Sequence, residues 1–387
     1  MSPCCMRILG FVLLVATLLA AGCTSSTPDK KSPKLSAHVK PAKPIVPANA
    51  AVLTLGDDLP LAAKLPSRIG KQDANFLGVA SANVVFGTLT RRAKGQTQPQ
   101  ARPILYNIQS RSIVRMDTGL ERPAKTQVLG MVSSQATIVW IESPASPTDG
   151  DTTVYTYERT SGARRIRTLE PLPNHALVYG SDLTIEDSRI LFSMASVDDK
   201  IGAGAGIYRG SINGGKPLKM LVEDGQRLTI DGDQMTYSVG KKQFVRDLGS
   251  GDTNPAPVSS HAKDSTFCGA ETVGVFTVRC ESDGGPGADD AMLTIKDPEG
   301  HSTKVGPFAG LAPNDLRMIG PWIDIGSTDG RMRGQEYLLN VGSKTLKALP
   351  RGTSLESGNA PEMAPDLTLL SEPGNHQRQW LVHIPST

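Results

Sequence analysis

The sequence predicts an all-β domain built from a repeated four-strand unit, and three observations support this prediction. First, the helical period of apolar residues is absent from about residue 51 onward. Second, apolar residues occur in runs of four to seven, separated by Gly, Asp, Asn, Ser and Pro. Such runs are typical of short strands joined by turns. Third, the runs recur as a group, and the 39 glycines and 28 prolines follow no period of their own.

The repeat is clearest between residues 76–90 and residues 128–143, which align at an offset of 52. Each unit contains a hairpin of two strands, a polar loop, a third strand and a short fourth strand. The third strands are expected to begin at seven positions: Leu105, Val154, Ile207, Phe244, Met292, Tyr337 and Trp380. Their intervals of 37 to 53 residues match the length of a four-stranded blade. The sequence therefore predicts a β-propeller of seven four-stranded blades, with six or eight blades, or two β-sandwiches, as alternatives.

The two ends of the predicted domain complement each other. The last unit ends with its third strand at residues 380–384, and residues 51–55 form an orphan strand before the first unit. Pairing these strands would close the ring and hide two exposed sheet edges, which otherwise promote aggregation. We therefore expect residues 51–387 to form one propeller domain in which residues 51–55 supply the fourth strand of the last blade.

Residues 1–22 have the features of a lipoprotein signal peptide. Arg7 is their only charge, and residues 8–21 form an apolar run of 14 residues. This run is too short for a membrane helix but has the size of a secretory signal core. Residues 19–23 resemble the bacterial lipobox, in which the cysteine receives diacylglycerol and palmitate and becomes the new N-terminus. The resemblance implies lipidation of Cys23 and an extracytoplasmic protein anchored to the cell membrane, whereas an ordinary signal peptide is the alternative.

Residues 23–50 are predicted to be the lipidated cysteine followed by a disordered basic tether. Residues 24–50 contain five lysines, one aspartate and five prolines, and almost no large apolar side chain. Such a segment cannot bury a core, so it would act as a spacer, with its lysines able to contact anionic lipid head groups. Residues 51–387 carry a small net negative charge, which gives no electrostatic basis for binding nucleic acid.

Two cysteines remain after the signal peptide and Cys23 are set aside. Cys268 and Cys280 lie in one predicted hairpin, with a turn near residues 270–272. Two thiols in an exported domain suggest a disulfide between them. Their spacing does not place them directly opposite each other, so one strand is expected to bend.

The third unit resembles a known family of repeats. Leu183 to Ser193 contain an acidic turn and an apolar strand, and Ile207 and Tyr208 begin a strand that ends in a Gly-Gly hairpin. Over residues 183–221 this order resembles the repeat of TolB-like β-propellers, which have six blades. The resemblance implies a propeller fold and a cell-envelope setting, and it implies no catalytic residues.

Local motifs favour no enzyme chemistry. Residues 210–216 match part of a phosphate-binding loop, but Pro217 and a strand follow where a Ser or Thr and a helix are required. The most acidic turn, residues 283–290, lacks the ligand order of a calcium-binding loop. The six histidines are scattered, and no nucleophile elbow is present. We therefore expect no catalytic, cofactor or metal residues, and no cofactor.

Four long loops are expected between the second and third strands of their units, at residues 91–102, 143–151, 197–205 and 282–291. They should emerge on one face, which would bind a protein, peptide or glycan partner at the cell envelope. The alternative is a propeller hydrolase or lyase acting on envelope glycans or peptides. An enzyme should place two carboxylates, or a histidine and a carboxylate, within hydrogen-bond reach in the central funnel.

Overall fold

The computed structural model describes most of the chain from residue 45 to residue 385. The described ranges are residues 45–46, 49–91, 100–120, 126–144, 153–159, 165–168, 183–186, 188–194, 205–213, 218–231, 233–240, 242–251, 253–255, 266–273, 276–282, 291–297, 299–308, 313–327, 335–356, 366–372 and 378–385. These residues form strands and turns and contain no α-helix. The all-β prediction is therefore confirmed for the described part.

In the described part of the chain, the strands form seven small sheets, which we number in chain order. The chain begins with two short strands that join later sheets, β1 (Ala51–Val52) and β2 (Leu61–Leu65). Sheet 1 contains β4 (Gln72–Ser81) as its first strand, followed by β5 (Val84–Arg91), β6 (Gln100–Asn107) and β7 (Ile113–Arg115), with β3 (Arg68–Ile69) at its edge. Sheet 2 contains β8 (Thr126–Ser133), β9 (Thr137–Pro144), β10 (Thr153–Glu158) and β11 (Arg165–Thr168). Sheet 3 contains β12 (Thr184–Glu186), β13 (Arg189–Met194), β14 (Gly206–Ser211) and β15 (Lys219–Glu223).

The remaining sheets continue this order. Sheet 4 contains β16 (Gly225–Asp231), β17 (Gln234–Val239), β18 (Lys242–Asp247) and β19 (Thr253–Pro255). Sheet 5 contains β20 (Thr266–Val273), β21 (Phe276–Ser282), β22 (Met292–Lys296) and β23 (Ser302–Val305). Sheet 6 contains β24 (Pro313–Ile319), β25 (Trp322–Ser327), β26 (Tyr337–Asn340) and β27 (Leu346–Ala348), with β1 at its edge. Sheet 7 contains β28 (Ser354–Leu355), β29 (Leu367–Glu372) and β30 (Arg378–His383), with β2 at its edge.

Successive sheets pack against each other through buried apolar clusters, as in a propeller. Trp140 of sheet 2, for example, packs in one cluster with Phe86 of sheet 1. The last sheet packs against the first in the same way, because Leu367 and Leu369 share a cluster with Phe76. Each expected third-strand position lies in β6, β10, β14, β18, β22, β26 or β30. The number of propeller blades stays a prediction.

The predicted closing strand is wrong in position. Residues 61–65 (β2), and not residues 51–55, pair antiparallel with β30, while β1 pairs in parallel with β27 of sheet 6. Between these strands, Leu53 and Leu59 are buried in the cluster between sheets 6 and 7. The N-terminal segment therefore first adds an edge strand to sheet 6 and then supplies the fourth strand of sheet 7.

The packed domain also begins earlier than the predicted boundary at residue 51. The Ile45 backbone N–H donates a hydrogen bond of 2.8 Å to the Pro307 carbonyl, and Ile45 forms a bridge with Phe308. Ile45 contacts the chain next to sheet 5, and β1, β2 and β3 pair with strands of sheets 6, 7 and 1. Residues 45–69 therefore contact four successive sheets. We call residues 45–69 the N-terminal strap.

The hairpin of sheet 5 differs from its prediction in the position of its turn. Residues 270–272, where the turn was predicted, pair with residues 277–279 within the hairpin, and the pairing continues to Val273 and Phe276. Gly269 pairs with Cys280, and the register shifts between Phe267 and Gly269. This β-bulge at Cys268 is a local bend of the strand.

Residues 1–44 lie outside the described part of the chain. The predicted signal peptide, lipidation of Cys23 and most of the predicted tether therefore stay predictions. In the part that the structure describes, there is no helix with the length and apolar character needed to cross a membrane.

Candidate functional site

The strand order gives the domain two sides that differ in the connections they carry. In an antiparallel sheet, the connections after the first and third strands leave one edge, and those after the second strand leave the opposite edge. We call the first side the turn face and the second side the loop face. In sheet 1, two residues separate β4 from β5 on the turn face, whereas eight separate β5 from β6 on the loop face.

The four predicted long loops all connect the second and third strands of sheets 1, 2, 3 and 5. Most of their residues lie outside the described part, but the strands that flank each loop end on the loop face. Two sheets do not follow this distribution of long and short connections. In sheet 4, the second and third strands, β17 and β18, are joined by a short connection. In sheet 7, the long connection joins the first and second strands, β28 and β29.

Two histidine–carboxylate pairs are present among the described residues, and both lie on the turn face. His301 Nδ1 lies 3.1 Å from Asp297 Oδ2 in the turn between β22 and β23. His383 Nδ1 lies 2.7 Å from Asp366 Oδ2 at the ends of β30 and β29. Neither pair belongs to a first strand, whereas each of the main contacts between neighbouring sheets involves the first strand of at least one of them. The pairs therefore do not have the funnel position expected of a catalytic pair.

The turn of sheet 5 brings together Asp297, Glu299 and His301, and one ligand atom of each lies within 4.8 Å of the others. These side chains could hold a divalent metal ion. The same turn has a structural role, because the His301 backbone N–H donates to Asp297 Oδ1 at 2.7 Å. Desolvation alone would raise the pKa of Asp297, but the hydrogen bonds and charge of His301 together lower it. Sequence reasoning missed the cluster, although the alternating order of the three residues was a visible signal.

Two glutamates, Glu336 and Glu356, make hydrogen bonds to residues of sheet 7 near its first strand, β28. Glu336 Oε2 accepts a hydrogen bond of 2.9 Å from the Leu355 N–H. Glu356 Oε1 accepts one of 2.5 Å from the Ser371 hydroxyl, and Ser354 Oγ lies 3.1 Å from Ser371 Oγ. Both carboxylates therefore hold sheet 7 in place, one through a backbone amide and the other through a buried serine.

Three further carboxylates are nearly inaccessible to solvent: Asp117, Glu142 and Asp324. Asp117 lies between two arginines, at 3.1 Å from Arg102 and 3.4 Å from Arg115. Glu142 accepts a hydrogen bond of 2.6 Å from the Trp140 indole N–H. Asp117 and Glu142 are therefore buried and held by neighbouring side chains of the protein.

Arg159 is the most unusual charged group of the turn face. Its Nη1 atom donates to the Ala80 carbonyl of β4 at 2.8 Å and lies 3.3 Å from the Ser134 carbonyl. The side chain is partly buried, and desolvation lowers its pKa despite an opposing effect of Tyr157. The sequence around Arg159 contains no motif that would have indicated this position, because its contacts come from residues 24 to 79 positions away.

The other predicted site residues are the three cysteines Cys23, Cys268 and Cys280. Cys280 is fully buried in the cluster between sheets 5 and 6. The backbone of Cys268 is next to the residue that pairs with Cys280, while the Cys268 side chain lies outside the described part. The disulfide therefore stays a prediction, as does lipidation of Cys23.

Comparison with known proteins supports the fold alone. No protein-family model matches the sequence, and no curated protein matches it. A solved prolyl endopeptidase structure matches 82% of this chain with a TM-score of 0.56 and 9% identity. An oligogalacturonate lyase from Vibrio parahaemolyticus matches 78% of this chain and 86% of its own, with a TM-score of 0.51 and 10% identity.

Both neighbours contain propeller-type folds, so the likeness agrees with the arrangement of small sheets described above. The chain spans about half the length of the prolyl endopeptidase chain, at 49% coverage. At these identities the likeness concerns the path of the backbone and leaves the chemistry of the loops open.

Proposed function

We propose that the protein is a membrane-anchored lipoprotein outside the cytoplasm, whose seven sheets are the blades of a closed propeller that binds a partner at the cell envelope. The lipobox-like residues before Cys23 support the anchor. The resemblance of residues 183–221 to a TolB-like repeat supports the envelope setting. The partner is a protein, a peptide or a glycan.

The observation that carries the binding proposal is the position of the four long connections. All of them leave second strands and enter third strands, so all of them belong to the loop face. A rigid scaffold with its long loops on one side is typical of proteins that recognise a partner through those loops. The histidine–carboxylate pairs of the described residues lie on the opposite side and outside the first strands.

The experiment is capture of partners by cross-linking the full-length protein in cells, followed by mass spectrometry. One variant replaces residues 92–99 with a Gly-Ser linker of equal length, and a matched control replaces the turn-face residues 109–111. A partner that is captured by wild type and the control, and lost with the loop variant, would support the proposal. Capture that survives replacement of each of the four long loops would contradict it.

A second candidate function is that of a hydrolase or lyase acting on envelope peptides or glycans. Its specific support is that the two structural neighbours described above are enzymes, a peptidase and a lyase. The purified protein would be assayed against a proline-containing peptide and against an oligogalacturonate. Turnover of either substrate by the folded protein, with heat-denatured protein as the control, would favour this function over binding alone.

A further inference from the structure

Arg159 lies where sheets 1 and 2 meet on the turn face. Its backbone N–H donates to the Ala136 carbonyl at 2.6 Å, which fixes the residue against the turn between β8 and β9. From there the side chain crosses to sheet 1, where Nη1 donates to the Ala80 carbonyl. Nη1 also lies 3.3 Å from the Ser134 carbonyl and 3.5 Å from the Gln135 carbonyl. The Nη1 atom of the guanidinium is therefore held by three backbone carbonyl oxygens.

The opposite edge of the same guanidinium, formed by Nε and Nη2, is not contacted by the residues that the structure describes. Within the described residues, neither Nε nor Nη2 of Arg159 has a hydrogen-bond or ion-pair partner. A guanidinium carries five N–H donors in a rigid plane, and an edge with two parallel donors matches the two oxygens of a carboxylate. Because Nη1 is already anchored, the plane of this edge is fixed before any ligand arrives, which reduces the entropy lost on binding.

Among the described residues, the charge of Arg159 has no carboxylate partner, unlike the charges of Arg102 and Arg189. Arg102 pairs with the carboxylate of Asp117, and Arg189 pairs with Asp233 at 3.1 Å. Arg159 has no carboxylate partner within the described residues, although it is partly buried. Burial of an unpaired charge is unfavourable, so an anion that reaches the open edge is stabilised. The nearby carbonyl oxygens repel a doubly charged anion such as phosphate more than they repel a single carboxylate.

We propose that Arg159 forms a carboxylate-binding subsite on the turn face, and that its ligand is an acidic side chain or a chain terminus of a protein partner. This inference rests on the proposed binding function and adds a second contact region on the side opposite the long loops. The subsite lies at the end of β4, the first strand of sheet 1, where Ala80 is located. A partner segment that enters the centre of the ring from the turn face would meet the guanidinium there.

The test measures binding of two small probes to the full-length protein by calorimetry. The first probe is N-acetyl-glutamate α-amide, which carries one carboxylate, and the second is N-acetyl-glutamine α-amide, which carries none. We expect only the first probe to bind. Arg159→Lys keeps the charge and one donor for Ala80 but removes the two-donor edge, so we expect at least about tenfold weaker binding. Arg159→Gln should abolish binding.

Arg246→Lys is the matched control, because Arg246 Nη1 also donates to a carbonyl, that of Leu221, at 2.7 Å. We expect this variant to bind the first probe like wild type. All variants would be measured below the lowest thermal midpoint of the set, so that loss of folding does not imitate loss of binding. Equal binding of the probe by folded Arg159→Gln, equal binding of both probes, or no binding by wild type would each overturn the proposal.

Two further arms separate the alternatives. Binding of galacturonate without binding of the glutamate probe would overturn the assignment to a protein ligand. Partner capture that is equal for wild type and Arg159→Gln would overturn the subsite while the proposed function stands. Probe binding that depends on Arg159, without capture of any partner, would support the subsite and contradict the proposed function.

Discussion

The contact between Gln379 and Phe76 gives the sharpest prediction about the stability of the ring. Gln379 belongs to the third strand of sheet 7 and is almost completely buried. Its Oε1 accepts a hydrogen bond of 2.7 Å from the Phe76 N–H, and its Nε2 donates one of 2.6 Å to the Phe76 carbonyl. One side-chain amide thus pairs with both backbone groups of a residue in the first strand of sheet 1.

We expect Gln379→Met to lower the free energy of unfolding by about 2 to 5 kcal/mol. Met has nearly the same shape but neither donates nor accepts strongly, so both backbone groups of Phe76 lose their partner. A buried backbone group without a partner costs about 1 to 3 kcal/mol, and the apolar Met side chain offsets a small part of the total. For a domain of this size, about 2 °C per kcal/mol gives a fall in thermal midpoint of about 4 to 10 °C.

The assay is thermal and urea unfolding of the full-length protein. The matched control is Gln234→Met, because Gln234 is exposed on β17, and exposed substitutions change stability by at most about 0.5 kcal/mol. A thermal midpoint of Gln379→Met that equals that of the control would refute the reasoning. It would show that the apolar cluster of sheets 1 and 7 closes the ring without the amide.

Gln379→Glu tests the two hydrogen bonds separately through pH. An ionised carboxylate still accepts from the Phe76 N–H but repels the Phe76 carbonyl, and burial also disfavours the charge. The pKa of the introduced Glu is therefore raised in the folded protein, so the variant should be most stable below the unfolded pKa and should lose stability as the pH rises through the folded pKa. Urea midpoints at about pH 4 and pH 8 check this direction. Parallel pH profiles for the variant and wild type would contradict it.

Three further predictions concern the anchor, the disulfide and the N-terminal strap. Cys23→Ser should move the protein from the membrane to the soluble fraction, as measured by detergent partitioning, and unchanged partitioning would contradict lipidation. Cys268 and Cys280 should resist thiol labelling in the denatured, unreduced protein, and reduction should cost at most about 3 kcal/mol because the closed loop is short. Removal of residues 24–44 should leave the thermal midpoint unchanged, whereas removal of residues 24–66 should cause aggregation, because β30 then has an unpaired edge. Equal midpoints for both truncations would mean that the strap does not close the ring.

The strand repeat could be predicted because strands and turns depend on residues that are close together in the sequence. A buried strand requires an apolar run, and the turns between strands require small or polar residues, so the third strands were predicted within their observed bounds. The hairpin of sheet 5 shows the limit of such reasoning. Residues 269–272 are small or polar and have the composition of a turn, but they pair within β20, because cross-strand partners outweigh local preference.

The closing strand was predicted in the wrong place for a related reason. Residues 51–55 contain two leucines, a valine and a threonine, which favour a strand, whereas residues 61–65 contain two alanines and a lysine, which do not. The observed pairing of β2 is decided by the edge of β30 and by Leu65, which packs into the cluster of sheets 1 and 7. The contacts of Gln379 and Arg159 could not be predicted from the sequence either, because each joins residues that are far apart in the sequence.

The side chains of Gln379 and Arg159 both form hydrogen bonds with the backbone of β4. Gln379 reaches this strand from sheet 7 at Phe76, and Arg159 reaches it from sheet 2 at Ala80. Apolar burial holds β4 between its neighbours but has no direction, and a slip of one residue would turn Phe76 out of its cluster. Hydrogen bonds to single backbone groups have a direction and a defined position. The first strand of the ring is therefore aligned from both flanking sheets by polar side chains, while the apolar clusters supply most of the stability.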